Sequence, residues 1–256
     1  MSENGRLVDA EPPRSDGRRD WLLAIDTATS RALVAAAAPD GTPLGVTVWA
    51  VGRTHGEQLL PAIGRLHGEA NLRRSRIRGV IVGTGPGAFT GLRVGLATAK
   101  ALAHELRVPI AGVSTAEALL QADSDAMAAS DPDTAAALAR EGSHHGRVLL
   151  LPAGPNDRLA IRAGTRPVLL PGGVEPDLAD GDELIAVDLE RRAPVDAVAR
   201  GERAQAGLAG ALVRLGAARL RAGDGDDLAR LVPEYVSLPR GVRAETGEVA
   251  WSRDHR

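Results

Sequence analysis

Residues 83–103 read GTGPGAFTGLRVGLATAKALA. They follow an apolar run, Gly79–Thr84 (GVIVGT), with the character of a buried strand. Gly85, Pro86 and Gly87 then impose a tight turn in which positive φ is available. Thr90 is placed to cap a helix through its hydroxyl, and the apolar pattern carries that helix to about Leu106. A loop of this kind gathers backbone N–H groups and a helix N-terminus at one spot, the ingredients of an anion nest. It is not a Walker A loop, because no Lys-Ser or Lys-Thr follows the glycines. Phe89, the only phenylalanine of the chain, is expected to plug a groove beside the loop.

On the helix itself, Arg93, Lys100 and His104 fall within about 40° of one another at 3.6 residues per turn. The remaining circumference is Gly, Ala, Val, Leu or Thr almost throughout, so more than one side is expected to be buried. Gly91 and Gly95 leave a shallow groove. A helix of another protein could lie in it, or the chain's own core could fill it; the wheel leaves both open.

Working outward, Trp21–Asp26 (WLLAID) is an apolar run closed by an acid. Arg31–Ala38 and Leu44–Ala50 follow, separated by the turn signal Pro39-Asp40-Gly41. Three short-linked strands predict an antiparallel meander. A helix is expected from about His55 to Ala70, with Leu59, Ile63 and Leu66 on one stripe. Pro61 inside it marks either a kink or a fresh first turn. Val108–Val113 predicts a strand, and Ser114 with Glu117 a capping box for the helix after it. The order β-β-β-α-β-α-β-α is that of one lobe of the actin-like fold shared with sugar kinases and Hsp70-type ATPases. It predicts an α/β class with two lobes, the second divergent.

The expected divisions are a disordered tail over 1–20, a first lobe over 21–122, a linker over 123–146, a second lobe over 147–240 and a tail over 241–256. In the second half, strands are expected at Val148–Leu151, Arg158–Ala163 and Leu184–Val187, a loop-rich stretch over 164–183, and a helix over Glu202–Leu220. No internal repeat is visible.

The 256 residues carry a formal net charge of −2 and no cysteine, so disulfides and thiolate chemistry are excluded. No long apolar run suggests a membrane span, no apolar leader opens the chain, and a cytoplasmic location is expected. Lys100 is the only lysine, and one Phe, one Tyr and three Trp are the only aromatics. That is too few for a base-stacking platform. Arg73, Arg74, Arg76 and Arg78 form a basic run that fits either a solvated turn or RNA phosphates. Asp26, Thr27 and Thr29 sit where actin-like ATPases place a phosphate or metal turn; the same residues would serve to cap a strand-end turn. His55 precedes a helix without a partner acid in spacing, and His144-His145 lies in a Gly/Ser loop. No HxxxH metal pair and no G-x-S-x-G elbow occurs, so no catalytic residue and no metal ligand is assigned.

The segments LLAIDTATS, RTHGEQLLPAI, GTGPGAFTGLRVGLATAKALA and PIAGVSTAEALL, in this order and spacing, resemble the TsaB (YeaZ) family over about Leu22–Leu120. The resemblance implies an actin-like fold and a part in forming threonylcarbamoyladenosine in tRNA. It implies a non-catalytic scaffold or activator that pairs with the catalytic subunit TsaD, meets the ATPase TsaE through the complex, and touches tRNA indirectly. ATP would enter only at the level of the complex, with no cofactor required by this chain. The family's signature loop corresponds to Gly85, Pro86, Gly87, Phe89, Thr90, Gly91 and Arg93. Its pairing helices imply a partner interface of Leu59, Ile63, Leu66, Gly91, Gly95, Thr98 and Leu102, which would also serve a homodimer when the chain is alone. The second lobe departs from the family's pattern: the Asp-Ala-Arg and Glu-Val-Tyr segments of relatives are missing, and Tyr235 is followed by Ser237 where relatives carry Arg. The other reading of this fold is a stand-alone ATPase or small-molecule kinase working through Asp26.

Overall fold

The computed structural model describes residues 19–51, 57–130 and 146–235. Strands β1 (Trp21–Asp26), β2 (Arg31–Ala37) and β3 (Pro43–Ala50) form the meander, followed by helix α1 (Leu59–Glu69) and β4 (Ile77–Gly83). Helix α2 (Phe89–Leu106), β5 (Ile110–Val113) and α3 (Thr115–Ser130) complete the first lobe. The first sheet has the order β3-β2-β1-β4-β5; β1 pairs antiparallel to β2 and parallel to β4. Central β1 is buried on both faces, as its unbroken apolar run requires. Leu22 and Ala24 face α3 and the long C-terminal helix, while Trp21, Leu23 and Ile25 face the layer of α1 and α2. Each such Leu or Ile contributes roughly 1.5–3 kcal/mol.

The second sheet comprises β6 (Arg147–Pro152), β7 (Arg158–Ile161), β8 (Val168–Leu170) and β9 (Glu183–Ala186) in the order β8-β7-β6-β9. Again the first strand pairs antiparallel to the second and parallel to the fourth. The lobe is therefore duplicated, although the sequence shows no repeat: the duplication lives in strand pairing, which many apolar sequences satisfy. Between β8 and β9 a loop stands where the first lobe has α1.

Helix α4 (Val195–Arg221) is longer than the expected Glu202–Leu220 and joins the lobes. Its Gly201 lies against the Ala186 carbonyl of β9, and its Gly216 against Ile81 of β4. Likewise α3 continues through Ser130, past the boundary expected at 122. At that end Asp123 and Arg147 form a fully buried ion pair at 2.8 Å, fastening α3 to β6.

Helix α1 starts later than expected, so Pro61 lies in its first turn, where a missing N–H costs no helical bond. His55, His144, His145 and the tails over 1–18 and 236–256 lie outside the described residues.

Candidate functional site

The β1 turn, the glycine loop and the chain's last described segment meet at the carboxyl ends of β1, β4 and β5. Asp26 is fully buried. One carboxylate oxygen accepts from the Ala28 N–H at 2.8 Å and the other from the Thr115 hydroxyl at 2.7 Å. Burial pushes its carboxyl above the usual value, while those two hydrogen bonds pull it back down. The turn-capping role fits this environment, and the carboxylate has no open face for a metal-bound water. Thr27 donates to the Gly91 carbonyl of α2 at 2.7 Å, and Thr29 to the Arg31 carbonyl at 3.0 Å.

The loop packs just as tightly. The Ala88 N–H donates to the Ala28 carbonyl at 2.7 Å, and the Gly85 N–H to the Thr115 hydroxyl at 3.2 Å. Gly85 has φ +102°, and its bond to Pro86 is cis. A Cβ at Gly87 would stand 2.2 Å from the Ala28 carbonyl oxygen. The loop thus spends the Gly85 N–H on Thr115 and the Ala88 N–H on the β1 turn. Thr90 is not the cap: Ala88 holds that position without a side-chain bond, and Thr90 is exposed in the first turn. Ser114 is only part of a capping box. Its hydroxyl lies 3.5 Å from the Glu117 N–H, and its one proton is shared between the Gly85 carbonyl and the Glu234 carboxylate, each at 3.2 Å.

The polar stripe of α2 has an internal function that its wheel did not reveal: it receives residues 231–235. Lys100 donates to the Leu231 carbonyl at 3.2 Å, and Arg93 to the Tyr235 hydroxyl at 3.0 Å. The Arg93 guanidinium also stacks 3.8 Å above the Phe89 ring, itself 5.2 Å from that of Tyr235. Glu234 accepts from the Thr84 hydroxyl at 2.6 Å and the Ser114 hydroxyl at 3.2 Å. This strap was missed because Glu234 and Tyr235 lie about 150 residues from their partners. The only signal was a lone Tyr beyond the last helix.

Beside the strap lies an interlobe cavity of about 400 Å³. Thr29, Gly87, Phe89 and Tyr235 line one side, and Leu151, Pro152 and Asp188 the other. Among the described residues its ionisable lining groups are the carboxylates Asp188 and Glu234 and the phenol Tyr235, with no Arg, Lys or His. Such a lining repels a triphosphate. Asp188 also ties the lobes together, accepting from the Ser30 N–H at 2.7 Å and from its hydroxyl.

The expected interface divides in two. Leu59, Leu66, Gly91 and Gly95 are buried within the chain. A Cβ at Gly95 would meet the Thr27 hydroxyl oxygen at 2.2 Å, so the β1 turn already fills the groove. These four are corrected to core residues. Ile63, Thr98 and Leu102 are half-buried and border the outer surface. There Leu60 is 62% exposed, and added Cβ atoms at Gly64 and Gly68 would meet nothing within 4 Å.

Two duplicated lobes of strand order 3-2-1-4, closed on an interlobe cleft, define an actin-like α/β protein. A family model described as TsaD, tRNA N6-adenosine threonylcarbamoyltransferase, matches residues 42–149. The chain is 32% identical over 98 residues to the tRNA threonylcarbamoyladenosine biosynthesis protein TsaB of Bacillus subtilis, covering 38% of this chain and 42% of that one. It is 35% identical over 100 residues to TsaB of Escherichia coli, covering 39% and 42%. An uncharacterised protein of Mycobacterium leprae is 41% identical over 101 residues, covering 38% and 28%. These matches span less than half the length of the curated relatives. YeaZ from Pseudomonas aeruginosa superposes with a TM-score of 0.58 at 22% identity, over 85% of this chain and all of that one. Over about 100 residues the chain is thus similar to the TsaB (YeaZ) family, and its fold is that of YeaZ.

Proposed function

We propose that this chain is a non-catalytic subunit in the synthesis of threonylcarbamoyladenosine in tRNA, pairing with a TsaD-type catalytic subunit through α1 and α2. The observation that carries the reading is the outward face of these helices. On α1, Leu60 and the bare Gly64 and Gly68 form a smooth surface edged by Ile63. On α2, Ala97 and Ala101 are exposed beside half-buried Val94, Thr98 and Leu102. Both helices cover the same face of the first sheet. Small residues of this kind let a second pair of helices approach closely, as four-helix packing needs.

The acidic and apolar interlobe cavity and the enclosed Asp26 weigh against a stand-alone ATPase. The pairing reading is tested by light scattering on mixtures with the TsaD-type subunit of the same organism. The ATPase reading is tested by nucleotide turnover of the chain alone and of Asp26→Ala.

A further inference from the structure

We propose that the amino-terminal edge of the first sheet is a docking surface for RNA phosphates. The choice of tRNA as that RNA rests on the function proposed above. Arg73 and Arg74 are exposed at the short 3-10 turn before β4, and their side chains hold no partner among the described residues. The turn is fixed from below, because the Trp21 indole donates to the Arg73 carbonyl at 2.9 Å. Arg76 and Arg78 follow, and both reach a single acid, Asp20, at 3.1 and 2.8 Å. Exposed Arg19 precedes that acid.

The strand register extends the cluster. Val80 lies opposite Ile110 in the parallel β4–β5 pair, so Ile77 lies level with Arg107. Arg107 holds the left-handed cap of α2 and is exposed. Adjacent strands are about 4.8 Å apart, so β1, β4 and β5 carry these groups along an edge of about 10 Å. Asp20, Glu69 and Glu105 are the carboxylates nearest in the chain to these six arginines, and the fold brings Asp40 and Asp224 to the same edge, each beside an arginine of its own, Arg221 and Arg219. The whole molecule is net negative, so this concentration of positive charge is local.

The chemistry of the edge selects the ligand. Guanidinium forks pair with phosphate oxygens, and among the described residues no Phe, Tyr or exposed Trp stands beside them to stack on a base. The surface therefore positions a phosphate backbone without reading sequence. It lies at the opposite ends of the strands from the interlobe cavity, so RNA bound here leaves that cavity free.

The test is fluorescence anisotropy of unmodified tRNA with the full chain, alone and with the TsaD-type subunit, across a salt series. Arg73→Gln/Arg74→Gln and Arg107→Gln remove charge from side chains without partners among the described residues. The double variant is expected to weaken tRNA binding about tenfold at low salt and to flatten the log–log salt slope by about 1.5, the share of two phosphate contacts. Arg107→Gln is expected to produce about half of that slope change. Pairing with the TsaD-type subunit stays intact in both. Unchanged affinity and slope overturn the proposal. So does loss of subunit pairing with tRNA affinity kept, which would make the edge a protein contact. Absence of pairing in the wild-type chain, with arginine-dependent tRNA binding retained, would instead sink the functional reading and leave the RNA surface standing.

Discussion

The Thr27 hydroxyl donates to the Gly91 carbonyl at 2.7 Å, and position 95, one helical turn on, has no room for a Cβ beside that same oxygen. The glycine pair on α2 is thus a seat for the β1 turn. Gly95→Ala gains helix propensity but overfills the seat, and overpacking of this kind costs about 1–3 kcal/mol. Thr27→Ala in the same chain removes the colliding hydroxyl and should recover much of the loss. A double-mutant cycle by urea denaturation measures the coupling. Additive losses would show that Thr27 and Gly95 do not compete for the space.

Asp26 sets a pH dependence. Its folded-state pKa is raised above the ordinary aspartate value of 3.8, chiefly by burial, so the fold favours the protonated form. The stability from this group is fully present below 3.8 and is lost as pH rises through the folded pKa. The wild-type chain should therefore lose stability relative to Asp26→Asn as pH rises across that window. Urea midpoints of the two chains from acid to neutral pH check this, and a constant difference between them would contradict it.

The buried pair of Asp123 and Arg147 predicts a large asymmetry. Asp123→Asn takes one carboxylate charge from a buried guanidinium and should cost about 3–5 kcal/mol. Replacing both residues with apolar ones of similar volume should cost far less. Chemical denaturation of the single and double variants separates the two cases. Equal losses would show that the pair itself, not the charge left behind, carries the energy.

Much of the first lobe was legible because its signals are local. WLLAID is apolar without a break and becomes the central strand; Pro39-Asp40-Gly41 marks a hairpin; Gly85-Pro86-Gly87 marks the turn into α2. The second lobe was legible only as elements, because a repeated pairing order needs no repeated residues. At the site, periodicity found the buried face of α1 and α2 but could not say what buries it. Leu59, Leu66, Gly91 and Gly95 face the chain's own sheet and β1 turn. Arg93 illustrates the same limit: its partners Phe89 and Tyr235 lie 4 and 142 residues away, and only folding brings them together.

The strap over the glycine loop should be locally labile and tunable. The Glu234 N–H donates to the Thr84 carbonyl at 2.8 Å, while its carboxylate accepts from Thr84 and Ser114. Hydrogen bonds to a charged group contribute about 1.5–3 kcal/mol. Glu234→Ala should therefore speed exchange of the residue 234 amide by about tenfold or more. Amides within β1 should be unaffected. Unchanged protection at 234 would show that Lys100 and Arg93 hold the strap without Glu234.

Pairing through the outer face of α1 and α2 is the central claim, and size-exclusion chromatography with light scattering tests it most directly. The chain and Gly64→Arg would each be mixed with the TsaD-type subunit of the same organism at micromolar concentration. An arginine at position 64 meets open space among the described residues, so the variant should melt as the parent does. The parent should form an equimolar complex and Gly64→Arg none. No complex for the parent, or a normal complex for the variant, would contradict it.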